Sequence, residues 1–194
     1  MNIAFGLKAH SGWAALVAIG KRDGELVMAD RRRLELVDDE WARQPYHAAE
    51  DLQPDEARKL VERGVESARR IAVRELQAAV KLERERGNEI IGCAVLLVDP
   101  LPGWSVAEIL AVHFRMHKAE GVLFKDALAR AARACELRLV AIPEKQLAEY
   151  AERALGLPAS SLSKEIGRLG KSAGPPWGKD QKDAALAAIV ALRS

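Results

Sequence analysis

Cysteine is nearly absent: the 194 residues contain two, Cys93 and Cys135, both inside apolar runs. Two are too few for the disulfide framework of a small secreted scaffold, and their spacing fits no zinc knuckle, so both are expected as reduced core residues. Long apolar runs are missing too. None approaches the ~18–20 residues of a membrane span, and Met1 leads directly into a strand pattern rather than a signal peptide. A soluble, cytoplasmic chain with no membrane partner is expected. Nor is there an excess of one charge: 30 Lys and Arg against 28 Asp and Glu leave a net +2. No global field draws in a polyanion, and such binding would have to come from local patches. The absence of a repeat at ~20–50 residues excludes a solenoid or propeller. What remains is an ordinary globular balance, 49% apolar and 30% charged, long enough to bury one sizeable core. One domain over residues 1–194 is expected.

Three apolar segments open the chain, NIAFGLK, GWAALVAI and ELVMADRRRLELV, separated by short turns. They read as a three-strand meander. Residues 38–53 are polar with scattered aromatics and read as a surface loop. Pro54-Asp55-Glu56 is a helix start, and Val61, Val65, Ala68, Ala72, Leu76 and Ala79 carry helical spacing to about Arg86. IIGCAVLLV (90–98) is continuously apolar, as in a parallel strand covered on both faces. Ser105 and Glu108 form a capping box that begins a helix running toward Cys135, with Gly121 marking close packing or a break within it. LRLVAI (137–142) is a second buried strand ended by Pro143, a helix follows to Gly156, and SLSKEIGRLGKSAGPPWG reads as a short helix and a basic loop. The last helix starts near Lys179. The economical architecture is a mixed sheet with helices on both faces.

That last helix poses the functional question. Asp180 and Asp183 stand three residues apart at its start, on one face. They are either acids placed to suit the helix dipole or ligands for a cation. Lys164, Arg168, Lys171, Lys179 and Lys182 lie near them in sequence with Trp177. These could hold phosphates, the tryptophan stacking on an unpaired base, or simply solubilise the surface. Arg31, Arg32 and Arg33 add a basic patch, but on a strand they alternate faces and cannot all meet one ligand. Trp41, Tyr46 and His47 form either a recognition surface or a packed minicore. His113 and His117 sit four apart on a helix, yet no acid stands between them in the HExxH manner and no third ligand is evident; ordinary helix histidines are expected. GRLGKS (167–172) resembles a phosphate loop but follows a helix and has Glu165 where glycine is needed, which rules it out.

The order of elements resembles the ribonuclease H-like fold, and within it the RuvC-type Holliday-junction resolvases. Three segments carry the likeness: Gly6-Leu7-Lys8-Ala9-His10-Ser11-Gly12-Trp13-Ala14, Glu120-Gly121-Val122-Leu123 through Ile142-Pro143, and Asp180-Gln181-Lys182-Asp183-Ala184-Ala185-Leu186-Ala187. The resemblance implies a five-stranded mixed sheet, a three-strand meander plus two parallel strands, with helices on both faces. It also implies a metal-dependent endonuclease site in which carboxylates hold two divalent ions, Mg2+ or Mn2+, that activate water and stabilise the leaving oxygen. Asp180 and Asp183 match the terminal acids, and Asp99, at the end of the buried strand, is either the candidate for the central one or a strand-ending turn residue before Pro100. DNA or RNA is the implied partner, structured DNA if resolvase-like, and a homodimer the implied assembly. Lys8 stands where the resemblance calls for aspartate. A charged ammonium cannot ligate a metal and repels one at short range. Lys8 is either a surface lysine at a strand end or the partner of Asp180 or Asp99, and in the second case hydrolysis would be lost or rerouted. The alternative is a catalytically inactive ribonuclease H-like scaffold or partner-binding protein.

Overall fold

Alternation along the first strand decides the architecture. In β1 (Asn2–His10), Ile3, Phe5, Leu7 and Ala9 enter one core, while Ala4 enters another on the opposite face, the face that Gly6 and Lys8 share by their even spacing. β1 sits centrally because both its faces are apolar. It pairs antiparallel with β2 (Trp13–Arg22), which pairs antiparallel with β3 (Glu25–Glu35), and it pairs parallel with β4 (Glu89–Leu97), itself parallel to β5 (Leu139–Pro143). The order β3-β2-β1-β4-β5 is the five-stranded mixed sheet expected for the ribonuclease H-like arrangement. All of residues 1–194 are described in the computed structural model.

Helices cover both faces. α1 (Pro54–Glu85) and α3 (His113–Ala134) pack on the side of Phe5 and Leu7, joined by Ala68, Ala72, Leu76, Phe124 and Leu128. α4 (Leu147–Leu155), α5 (Ala159–Ala173) and α6 (Lys179–Arg193) form the other layer, with Leu162, Ile166 and the alanines of α6. α6 comes closest to the sheet. A Cβ placed on Gly6 would stand 1.9 Å from the Ala184 carbonyl oxygen, so only glycine admits the helix at that distance. No helix is long and apolar enough to cross a membrane.

Several local expectations change. The capping box at Ser105 is present, but its helix α2 (Val106–Leu110) stops after five residues. The chain is extended at Val112 before α3 begins. Gly121 marks neither the break nor close packing; a Cβ there would meet open space. The segment after Gly156 is a 15-residue helix rather than a short one, so Lys164, Arg168 and Lys171 are helical. The polar stretch 38–53 holds two short 3-10 turns, Glu40–Arg43 and His47–Ala49. Its Tyr46 and Ala49 are buried with Val61, Ile109 and Met116, which is the minicore alternative.

Candidate functional site

The two acids of α6 fall over the C-terminal end of β1 because Gly6 lets the first turns of that helix settle on the strand. Lys8 lies two residues beyond Gly6 on the same face and is 5% exposed. Its Nζ donates to Asp183 Oδ2 at 2.6 Å and stands 3.5 Å from Asp180 Oδ1 and 3.6 Å from Glu144 Oε1. Three carboxylates from two elements thus converge on one buried ammonium. Each has a further cationic or imidazole neighbour: Lys179 reaches Asp183 at 2.5 Å, Lys125 reaches Glu144 at 3.2 Å, and His10 Nε2 lies 2.9 Å from Asp180. Lys8, Lys125 and Lys179 match the three carboxylates charge for charge.

Titration follows this geometry. Burial pulls the Lys8 ammonium toward an easier loss of its proton, but the hydrogen bond to Asp183 and the fields of Asp183, Glu144 and Asp180 outweigh it, so its pKa is raised. Burial likewise pushes Asp180 upward, and the contacts with His10 and Lys8 outweigh that, holding it below the usual carboxylate range. His10 is itself set in place by stacking on Trp13 at 4.4 Å, with the Arg33 guanidinium 4.2 Å from the centre of that indole.

Asp99 does not join this cluster. It is exposed beyond the end of β4, lines a cleft shared with Lys118, Lys125 and Glu144, and forms no ion pair. Within β4, Ala94 and Leu96 face α6, whereas Cys93 and Val95 face α1 and α3. The strand ends at Leu97, so its alternation does not carry Asp99 to the α6 side. The third acid comes instead from Glu144, two residues after Ile142, which also faces α6. That signal was available in the sequence: Glu144 directly follows the C-terminal end of a parallel strand, where sites of such sheets collect. His10 lies within the first segment that carries the likeness but has no role implied there, although it continues the series Gly6, Lys8 along β1.

The basic residues divide. Arg31 donates to the carbonyls of Gly174 at 2.8 Å and Pro176 at 2.6 Å, and Trp177 Nε1 donates to the Ile166 carbonyl at 3.1 Å with its ring flush against Gly170. Arg168 binds Glu165 and donates to the Leu26 carbonyl at 2.7 Å. These three hold the segment that leads into α6. Trp177 is thus half-buried, with its ring already in contact with the protein's own backbone. Lys164, Lys171 and Lys182 are exposed and make no ion pair. Arg32 and Arg33 bind Asp30 and Glu35.

No family model matches the sequence. No curated protein is similar to it by sequence. Among solved structures the chain is similar to RuvC of Thermus thermophilus, with 14% identity and a TM-score of 0.48 over 97% of this chain and 92% of that one. It is also similar to T. thermophilus RuvC in complex with Holliday junction substrate, with 11% identity and a TM-score of 0.48 over 98% and 92%. At these identities the likeness concerns the fold alone.

Proposed function

We propose that the chain is a nucleic-acid-binding protein on a ribonuclease H-like scaffold in which the Lys8 ammonium takes the place of a divalent ion. The observation that carries this is the position of Lys8 Nζ, 2.6–3.6 Å from oxygens of Asp183, Asp180 and Glu144. Mg2+ and Mn2+ do not fit these residues. An ion bound by the same oxygens would meet a charged ammonium within a few ångströms, a repulsion that partial burial screens poorly. Metal-dependent phosphodiester hydrolysis is therefore not the activity of the wild-type site. The cluster instead holds β1, the start of α6 and the turn after β5 in fixed register. In this reading Asp99, Asp180 and Asp183 ligate no metal, and Lys8 is structural rather than catalytic.

The nucleic-acid part of the reading rests on the resemblance and on the unpaired Lys164 and Lys171 of α5 and Lys182 of α6, with Lys179, which also pairs with Asp183, at the head of α6. Structured DNA is the proposed ligand, a homodimer the proposed assembly, and the cytoplasm the proposed compartment. A second reading, a partner-binding scaffold without nucleic-acid affinity, is favoured by the internal use of Arg31, Arg168 and Trp177.

Changing Lys8 to Asp tests the central point. The wild type is expected to show no change in melting temperature and no nicking of branched DNA with Mn2+, whereas Lys8→Asp is expected to gain stability from Mn2+. Equal stabilisation of both proteins would remove the idea that Lys8 excludes the ion. DNA retention that weakens steeply with salt separates the first reading from the second, since released counterions follow each neutralised phosphate. Retention indifferent to salt, or absent, leaves the scaffold.

A further inference from the structure

Three of the four histidines of the chain meet far from this cluster. His113 and His117 occupy successive turns of α3, and His47 arrives from the 3-10 turn His47–Ala49, so that one ring nitrogen from each lies within 4.8 Å of the others. Nε2 of His117 is 3.0 Å from Nε2 of His113, and the ring centroids are 4.6–5.2 Å apart. The third partner for the 113/117 pair, absent from the local sequence, is thus supplied from the loop before α1.

We infer that His47, His113 and His117 form a binding site for a divalent transition ion of the zinc class. The chemistry of the donors selects it. Neutral imidazoles suit zinc, nickel or copper and not magnesium or manganese, which want oxygens. Two nitrogens on a tetrahedral zinc at ~2.0–2.1 Å lie roughly 3.3 Å apart, close to the 3.0 Å already present between His113 and His117.

The second observation is Glu120. Its side chain is 5% exposed and pairs with no lysine or arginine. It accepts from the His47 backbone N–H at 3.1 Å and contacts His47 Nδ1 at 2.7 Å. A carboxylate on Nδ1 fixes the proton there and leaves the Nε2 lone pair for a cation, the arrangement by which metal-bound histidines are oriented. An ion on Nε2 also balances the buried charge of Glu120 through the ring. Without an ion, three imidazoles share a single mutual hydrogen bond, an arrangement that packing alone does not call for. His113 and His117 are exposed, so a fourth position is open to water. The site is separate from the Lys8 cluster: His117 and Lys125 are eight residues apart on α3, roughly 12 Å along its axis.

Calorimetric titration of the tag-free, full-length protein with zinc chloride tests the assignment, alongside thermal melting with and without the metal. One equivalent is expected to bind and to raise the melting temperature, because a ligand of the folded state alone stabilises it. His113→Ala and His117→Ala, both at exposed positions, are each expected to weaken binding more than tenfold. Glu120→Gln is expected to weaken it about 10–100-fold, and Asp183→Asn to leave it unchanged. Magnesium chloride is expected to give no heat. Absence of zinc binding in the wild type overturns the site. Binding that survives His47→Ala, in a variant whose circular dichroism shows it folded, also overturns it and reduces the pair on α3 to adventitious surface chelation.

Discussion

Lys8 is one of three charged residues that the fold buries, with Glu83 and Glu120. A buried ammonium is costly unless paired, and here the pairing is threefold. Replacing it with methionine keeps the volume but leaves three carboxylates facing one another. Breaking a buried pair from one side costs ~3–5 kcal/mol. Because Asp183, Asp180 and Glu144 are 19%, 28% and 27% exposed, solvent screens part of this, and Lys8→Met is expected to lose about 2–3 kcal/mol. Urea denaturation measures it; a variant as stable as the wild type would mean that the ion pairs only balance their desolvation.

Acid and base act on the same cluster in opposite senses. Asp180 has a depressed pKa in the folded state, so its contribution is complete above the ordinary ~3.9 and disappears as pH falls through the folded value. Lys8 has a raised one, so its contribution is complete below ~10.4 and disappears as pH rises through the folded value. Stability is therefore expected to be insensitive to these two groups between those limits. In Asp180→Asn the acid-side decline should be shallower, which melting temperatures from pH 2 to 5 would reveal (~2–5, around the carboxylate range).

At the scale of elements, the decisive contact is α6 on β1. Ala184, Ala185, Ala187, Ala188 and Ala191 are all fully buried, and these small side chains let the helix backbone lie against Gly6. In Gly6→Ala the new methyl would meet a carbonyl and an amide nitrogen of the helix, at 1.9 and 2.6 Å, rather than a flexible side chain. The helix has to lift, and a loss of about 3 kcal/mol or more is expected, at the upper end for overpacking. The Lys8–Asp183 bond should be lost with it, seen as a changed response to pH in whatever folded fraction remains. An unaltered melting temperature would show that the helix seats itself elsewhere. The sequence announced this helix through Asp180 and its alanine-rich stripe, and announced α2 through the Ser105–Glu108 box. It did not announce the interruption at Val112, which no glycine or proline marks.

Across the whole molecule, β1 and β2 send alternate residues into both cores, Phe5 and Leu16 to one, Ala4 and Val17 to the other. The layers therefore share their central strands and neither can lose its packing alone. We propose on this ground that residues 1–194 behave as one domain. Denaturation followed by tryptophan fluorescence and by far-ultraviolet circular dichroism is expected to give coincident transitions; two separated midpoints would divide the chain.

Periodicity and end signals along the chain were sufficient for the strand meander, the crossover helices, the place of Lys8 on the inner strand and the pair of acids opening α6. These are properties of neighbouring residues, and a strand's alternation or a helix's cap acts over a few positions. Asp99 and Glu144 both stand just past the ends of parallel strands, and the choice between them was settled only in three dimensions. Glu144 and His10 reach the cluster, and Asp99 does not, because the packing of α6 on the sheet chooses among side chains distant in sequence. The meeting of His47 with His113, His117 and Glu120 is of the same kind, since a loop and a helix come together there through burial of Tyr46, Ile109 and Met116 beneath them, a fact that no local spacing encodes.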